Sequence, residues 1–445
     1  MGKHTEMSLE EAIILELIAY GGYIKGDSRS FDKVRALFPN DVISFIAATQ
    51  SKKWEAMQEL LAARSEDRLI YDLTQELALK GSLHVLRHGF KSFGKNFRLA
   101  CFAPNTNRNP KARKDYEKNI LTVTRQVHFS LKNPNLSLDV VLSVNGLPVV
   151  TLKLENHRTG QTIENAINKY KYDYQPTEPI FRFKERALVH FAVDPDVISM
   201  STKLEGKNTV FLPFNKGYQE GAGNSPREFN YKTAYLWESV LPMDSLLDIL
   251  ARFMHLQVEK KQSVTTKGIF HSTKETMIFP RYHQLDCVRH LITSATIKGA
   301  GHNYLIQHSA GSGKSNSITW LAHHLSSLHH DWDEKVFDSV IVITDRKALV
   351  KQLQNTICQF ERKQGVVQRI DEDTRQLAIA LSGDVPIIIS TIQNFPSIAR
   401  AISKLEKSRE DIKNETSEKR FAIILDDAHS PQSEETAMEL IKVLN

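Results

Sequence analysis

Three charged side chains interrupt the otherwise apolar run "SLDVVLSVNGLPVVTLKLEN" between Ser137 and Asn156: Asp139, Lys153 and Glu155. Two carboxylates and an ammonium at strand ends are the parts of a metal-dependent phosphodiesterase. The carboxylates hold Mg²⁺ against the scissile phosphate, and the lysine stabilises charge or helps position the water. The same trio also makes a salt-bridged sheet edge. Taken alone, that plainer reading wins, because charged triplets at strand ends are common.

Alternation in the run assigns faces. Val140, Leu142, Val144, Val150, Leu152 and Leu154 share one face, and Asp139, Val141, Ser143, Thr151, Lys153 and Glu155 share the other. Both strands satisfy this only with an odd number of loop residues. A three-residue loop, Asn145–Leu147 with Gly146 at positive φ, meets the condition. Asp139 then lies opposite Lys153, with Glu155 one same-face step away.

A second chemistry stands at "HSAGSGKSNSITWLAHHL", residues 308–325. Gly311 and Gly313 let the backbone around Ser312 curl so that its N–H groups cradle phosphates. Lys314 reaches the β- and γ-phosphates of ATP, and Ser315 ligates Mg²⁺. His308 stands where the full phosphate-loop pattern has glycine. Downstream, "FAIILDDAH" (421–429) ends an apolar strand in two aspartates, Asp426 to hold Mg²⁺ through water and Asp427 to orient the attacking water. Upstream, "FPRYHQLDCV" (279–288) carries Gln284 ahead of this region's first strand.

These groups need two kinds of scaffold. Residues 1–215 mix helices and strands: "SLEEAIILELIAY" has helical spacing after Ser8, and "ILTVTRQVHFS", the hairpin and "RALVHFAVD" read as strands. Residues 1–70 form its helical part. Residues 216–275 read as a loop, an amphipathic helix over "MDSLLDILARFMHL" and a polar linker, "QVEKKQSVTTKG" (257–268). From 276 to 445 short apolar strands, "NYLIQ", "SVIVIT", "VPIIIS" and "FAIIL", alternate with helical stretches. That alternation implies a parallel sheet covered on both faces, an α/β architecture.

The 445 residues suffice for two or three domains, with 41% hydrophobic and 25% charged residues. Three separated cysteines, Cys101, Cys287 and Cys358, have no metal-ligand spacing and fit a reduced, cytoplasmic protein. No secretory signal or membrane-spanning run is present. The net charge is +6, yet Lys80–Gln126 holds eleven Lys/Arg against two acids, together with Phe90, Phe93, Phe97 and Phe102. Such an excess is the footprint of phosphate-backbone binding, or else a solvated basic face over core phenylalanines.

The order RYHQ, GSGKS, TDRKAL, STIQNF, DDAH resembles the first motor lobe of a superfamily-2 helicase. "LRHGFKSFGKNFRLACFAP", the hairpin, "TGQTIENAI", "ALVHFAVDPD" and "FLPFNKG" resemble the nuclease domain of the restriction (R) subunit of type I restriction–modification enzymes. The resemblance covers the chain from about Leu69. It implies a PD-(D/E)xK nuclease-like mixed sheet with flanking helices, then a RecA-like P-loop lobe. It also implies ATP-dependent DNA translocation and cleavage, with double-stranded DNA and the methyltransferase and specificity subunits as partners. By position, Gln284 would contact adenine. Asp345, Arg346, Thr391 and Gln393 would fall in motifs that touch the DNA backbone.

Four departures qualify that expectation. The family has Glu-x-Lys on the last hairpin strand, whereas this chain reads Lys153-Leu154-Glu155, a displacement of roughly 6.5–7 Å for each charge. Lys169 stands where such nucleases carry Gln on the following helix. Asp427 replaces the family's Glu and is one methylene shorter. The chain ends at Asn445, soon after DDAH, without the second motor lobe. The alternative to a competent nuclease–motor is therefore a catalytically impaired DNA- and ATP-binding relative or fragment.

Overall fold

The computed structural model describes residues 8–106, 108–156, 160–228, 230–265, 268–344, 357, 366–370, 374–391 and 419–426. The chain divides into two compact units. One comprises Met1–Pro104 and Asn109–Tyr282, the other Asn105–Arg108 and His283–Asn445.

The first unit opens with a helix, Leu9–Ala19, capped by Ser8, whose side chain accepts from the Glu11 N–H. Its main sheet has seven strands. They are β1 (Ile24–Lys25), β4 (Leu121–His128), β5 (Ser137–Val144), β6 (Leu147–Leu154), β7 (Val189–Val193), β8 (Ile198–Ser201) and β9 (Leu212–Pro213), side by side in that order. A separate short hairpin joins β2 (Phe90–Ser92) to β3 (Lys95–Phe97). The β1–β4 and β6–β7 pairings are parallel and the others in the main sheet antiparallel, so the sheet is mixed. Strands β5 and β6 are central and buried on both faces, as their β-branched, apolar content requires.

The β5–β6 loop is shorter than the alternation argument gave. Val144 pairs with Leu147, leaving a two-residue turn, Asn145–Gly146, with φ of 50° and 83°. The register then shifts: Ser143 faces Pro148 and Leu142 faces Val150, so Val149 is the extra residue of a β-bulge. The odd residue sits in the strand instead of the loop, and the parity that places Asp139 beside Lys153 is kept. Only glycine fits at 146, because a Cβ there would run into the Phe38 carbonyl oxygen. The Asn145 side chain accepts from Ile120 N–H at 2.6 Å and donates to Leu99 O at 2.9 Å, which anchors the turn.

One face of β6 and β7 is covered by a helix, Ile163–Asn168, that continues as a π-helical turn, Lys169–Asp173. Tyr170 and Tyr174 from this segment join Val141, Phe129 and Phe181 in one core cluster. The "linker" of the sequence reading is instead a long antiparallel hairpin, β10 (His255–Thr265) with β11 (Gly268–Ile278), inside the first unit. Its polar sequence lacks the apolar alternation that marks a half-buried strand. The preceding helix starts at Met243 as expected, and its π-helical end stops at Phe253.

Among the described residues the second unit holds a four-stranded, all-parallel sheet: β12 (Ser339–Thr344), β13 (Val367–Ile370), β14 (Ile387–Thr391) and β15 (Phe421–Leu425), in the order β13-β14-β12-β15. The helix Lys314–Leu325 packs on it through Leu321, Ala322 and Leu325, against Val340, Val342 and Ala422. "NYLIQ" does not form the strand expected of it. Residues 303–307 carry no strand pairing, and Leu305 is 89% exposed. A short apolar run has no periodicity of its own to distinguish a strand from a connecting segment.

Candidate functional sites on two scaffolds

On the first unit, the bulged hairpin brings Asp139 and Lys153 together. Lys153 Nζ lies 2.6 Å from Asp139 Oδ1, and the side chains are 11% and 10% exposed. The second carboxylate oxygen of Asp139 accepts the Leu154 N–H at 2.7 Å. Glu155 sits at the end of β6, its own N–H donating to Val193 O. Its side chain is 3% exposed, and Oε1 is 3.1 Å from Lys169 Nζ, at ion-pair distance but without hydrogen-bond alignment. Lys169 opens the π turn of the covering helix. Two buried carboxylates thus face two ammoniums, that of Lys153 buried and that of Lys169 partly exposed.

Beneath these charges lies a polar chain that sequence reasoning missed. Thr151 Oγ1 is 2.9 Å from the Tyr170 hydroxyl and 2.8 Å from His190 Nδ1. Burial pushes His190 down to about 3, so its ring is neutral, and pushes the Tyr170 hydroxyl well above its ordinary value. Asp194, just past β7, accepts the N–H groups of Asp196 and Val197 and that of Ile163, the first residue of the covering helix. That contact ties the helix bearing Lys169 to the strand end beside Glu155. The Asp-Pro pair following β7 was the available signal, since Asp at a strand exit commonly caps the next backbone turn.

On the second unit, Gly311 and Gly313 adopt φ of 75° and 85°, and the helix starts at Lys314 directly after them. A Cβ at Gly311 would meet nothing within 4 Å, whereas one at Gly313 would run into Gln284 Nε2. The loop is held from outside by two neighbouring side chains. Gln284 Nε2 donates to Ser312 O at 3.2 Å and Gly313 O at 3.0 Å, and His283 Nε2 lies 3.0 Å from Ser312 O. A carbonyl only accepts, so His283 carries its proton on Nε2. Turning these carbonyls outward leaves N–H groups for the other side of the loop, as an anion site at a helix N-terminus requires. His308 packs edge-on to His283, with ring centroids 5.3 Å apart. Partial burial, the His283 ring and the Lys314 ammonium hold His308 below the usual histidine range.

Strands β12, β14 and β15 are parallel, so Thr344, Thr391 and Leu425 end at one edge of the sheet, with Asp426 next along and its N–H donating to Ile343 O. Ligands of open parallel sheets bind at such carboxyl ends. Lys314 and Ser315 open the helix that packs on this sheet, and Asp426 directly follows β15. Asp345, Arg346, Gln393 and Asp427 lie outside the described residues, and Thr391 is buried at the end of β14.

Residues 3–209 match the family model for the type I restriction enzyme R protein N terminus, and residues 283–445 match that of the SWI2/SNF2 ATPase. The chain is an R-subunit-like protein. No curated protein matches it. In this R-subunit-like chain the first match spans the charged hairpin and its covering helix, and the second spans the glycine loop and the parallel sheet. No described helix is long and apolar enough to cross a membrane.

Proposed function

We propose that this R-subunit-like chain binds ATP and DNA within a type I restriction system, and that its own nuclease-type face does not cut. The observation that carries the reading is the 2.6 Å contact of Lys153 with Asp139. In a PD-(D/E)xK site two acidic side chains share a Mg²⁺. Here Lys153 stands where the second acid belongs, and Glu155, displaced by one same-face step, faces Lys169. Each carboxylate already has a cation, and a divalent ion would have to displace the buried Lys153 ammonium from Asp139 and the partly exposed Lys169 ammonium from Glu155 to enter. These residues do not fit Mg²⁺ in the arrangement the family uses.

The glycine loop, Lys314, Ser315 and Asp426 support nucleotide binding, in which Mg²⁺ would neutralise phosphate charge. The shorter Asp427 supports slow hydrolysis, because misplacing the attacking water by about 1 Å can cost on the order of a hundredfold. DNA binding is supported by the basic stretch. Lys91, Lys111 and Lys114 are exposed, Lys95 is half-buried, and none of the four forms an ion pair among the described residues. Docking on the methyltransferase and specificity subunits follows from the family alone.

The test is plasmid cleavage with Mg²⁺. Exchanging the hairpin charges alone would set an ammonium at position 155 against that of Lys169, so the informative variant is Lys153→Glu/Glu155→Lys/Lys169→Gln. The reading expects no cutting by the natural chain and a measurable gain in the triple variant. Mg²⁺-dependent cutting by the natural chain at the variant's rate would overturn it.

A further inference from the structure

The β2–β3 hairpin carries a bulky aromatic residue where hairpin chemistry disfavours one. Phe90 pairs with Phe97, Lys91 with Asn96 and Ser92 with Lys95, leaving Phe93–Gly94 as the two-residue turn. Both central residues have positive φ, 45° at Phe93 and 72° at Gly94. That turn prefers Asn, Asp or Gly at both positions, and a bulky side chain in the left-handed region is an outlier. The Phe93 side chain is not compensated by burial: it is 44% exposed, while Phe90 and Phe97 at the base are fully buried. The turn also stands clear of the chain, since a Cβ on Gly94 would meet nothing within 4 Å.

The base is fixed. Ser92 Oγ donates to Asp72 Oδ2 at 2.8 Å, and Lys53 Nζ donates to Asn96 O at 2.7 Å. Directly paired residues share a face of the ribbon, so Lys95 lies on the face of Ser92 and Lys91 on the opposite one. Each lysine stands two residues from Phe93, Lys91 exposed and Lys95 half-buried, within the stretch where basic residues outnumber acids eleven to two.

We infer that this hairpin tip is a DNA-contacting pin, with Phe93 stacking on an unpaired base and Lys91 and Lys95 meeting the phosphates on either side of it. The inference rests on the DNA-binding reading above. The occupant follows from charge and shape. Two cations flanking an aromatic ring match a polyanion whose repeat alternates phosphate and π-face. At 44% exposure the Phe93 side chain offers apolar surface on which an exposed base can stack. Strain retained at an exposed turn position, where Asn would relax the backbone, is the signature of a side chain kept for contact.

The experiment measures binding of the full chain to a blunt DNA duplex and to the same duplex with a single-stranded tail, across a salt series. Phe93→Asn is expected to keep or raise the melting temperature. It should weaken binding to the tailed DNA about tenfold, near the lower end of the range for losing one base–aromatic stack, and leave the blunt duplex and the salt slope unchanged. Phe93→Trp, which keeps the strain and enlarges the ring, is expected to bind the tailed DNA at least as tightly as the natural chain. Lys91→Gln/Lys95→Gln should instead lower the salt slope by about 1.4 for contacts to the single strand. Failure of the natural chain to bind either DNA would overturn the DNA-binding reading itself. Where the natural chain binds, the pin is overturned if Phe93→Asn binds tailed DNA as the natural chain does. It is equally overturned if Phe93→Asn and Phe93→Trp lose affinity alike, or if the loss is equal on blunt duplex.

Discussion

Replacing Lys153 by Met removes the ammonium and keeps most of the aliphatic stem, so its cost reports on the ion pair. The two side chains are 11% and 10% exposed and 2.6 Å apart, which puts the pair in the buried class. Breaking such a pair from one side leaves an uncompensated carboxylate in the sheet and costs about 3–5 kcal/mol, against about 0–1 kcal/mol for an exposed bridge. The companion change Asp139→Asn removes the charge and retains an oxygen for the Leu154 N–H, which Asp139 Oδ2 now accepts at 2.7 Å. The double variant Asp139→Asn/Lys153→Met should return to within about 1–2 kcal/mol of the natural chain, since two well-packed neutral side chains often replace a buried pair at little cost. Hydrogen exchange at β5 and β6 amides reads this locally, which matters in a chain of two units where one global unfolding energy is ill defined. A cost below about 1 kcal/mol for Lys153→Met, or a double variant no more stable than the single, would refute the reasoning. The carboxylate would then be solvated well enough to accept a metal, and the silent-nuclease reading would fall with the ion pair.

Further outcomes follow from other residues. Lys314→Ala should abolish ATP binding by equilibrium titration, and unchanged affinity would sink the assignment of the glycine loop. Burial holds His190 and His255 down at about 3, against 6.5 when solvated. The unfolded chain therefore takes up protons that the folded one refuses between those values. Stability is full above about pH 6.5 and lost as pH falls through that window, by about 1.4 kcal/mol per pH unit for each ring. Urea titrations of the natural chain and His190→Gln across pH 7 to 5 should give a shallower loss in the variant, and parallel slopes would contradict it. Gly146→Ala should cost at least about 2 kcal/mol by hydrogen exchange at the β5 and β6 amides, from a left-handed φ of 83° and a Cβ driven into the Phe38 carbonyl.

The β5–β6 hairpin shows what a sequence can and cannot carry. Alternation placed Asp139, Lys153 and Glu155 on one face, because the side-chain period of a strand leaves no freedom once one face is assigned, and a turn around Gly146 then set Asp139 opposite Lys153. The loop was less constrained. Parity asks only for one odd residue somewhere between Val144 and Val150, and a three-residue loop or a two-residue turn with a bulge both supply it. Asn-Gly is the strongest short signal for a two-residue turn, and the bulge at Val149 is what that turn demands of the parity. Lys169 as partner of Glu155 was not legible. It depends on where a π turn sets the covering helix over the sheet, and on Asp194 holding that helix's first N–H. No local pattern in "ENAINKYKYD" encodes either. The β10–β11 hairpin escaped for the opposite reason. Its middle, residues 259–263 and 271–276, is polar, and a period-2 signal exists only where one face is apolar.

The two scaffolds differ in what holds their chemistry, and this explains why one site reads more directly than the other. A phosphate loop is made of backbone: two glycines at positive φ, a helix beginning at the next residue, and donors that turn carbonyls aside. Glycine and lysine at fixed spacing therefore announce it, although Gln284 and His283 enter as supports for Ser312 and Gly313 that spacing alone does not assign. The charged hairpin is made of side chains whose roles depend on order. Lys153 and Glu155 keep the composition and the face of a metal-binding strand, and exchange only positions one same-face step apart. Composition, net charge and hydrophobic pattern are blind to that exchange. Electrostatics is not, because a buried carboxylate with an ammonium at 2.6 Å and one that shares a divalent ion are different sites.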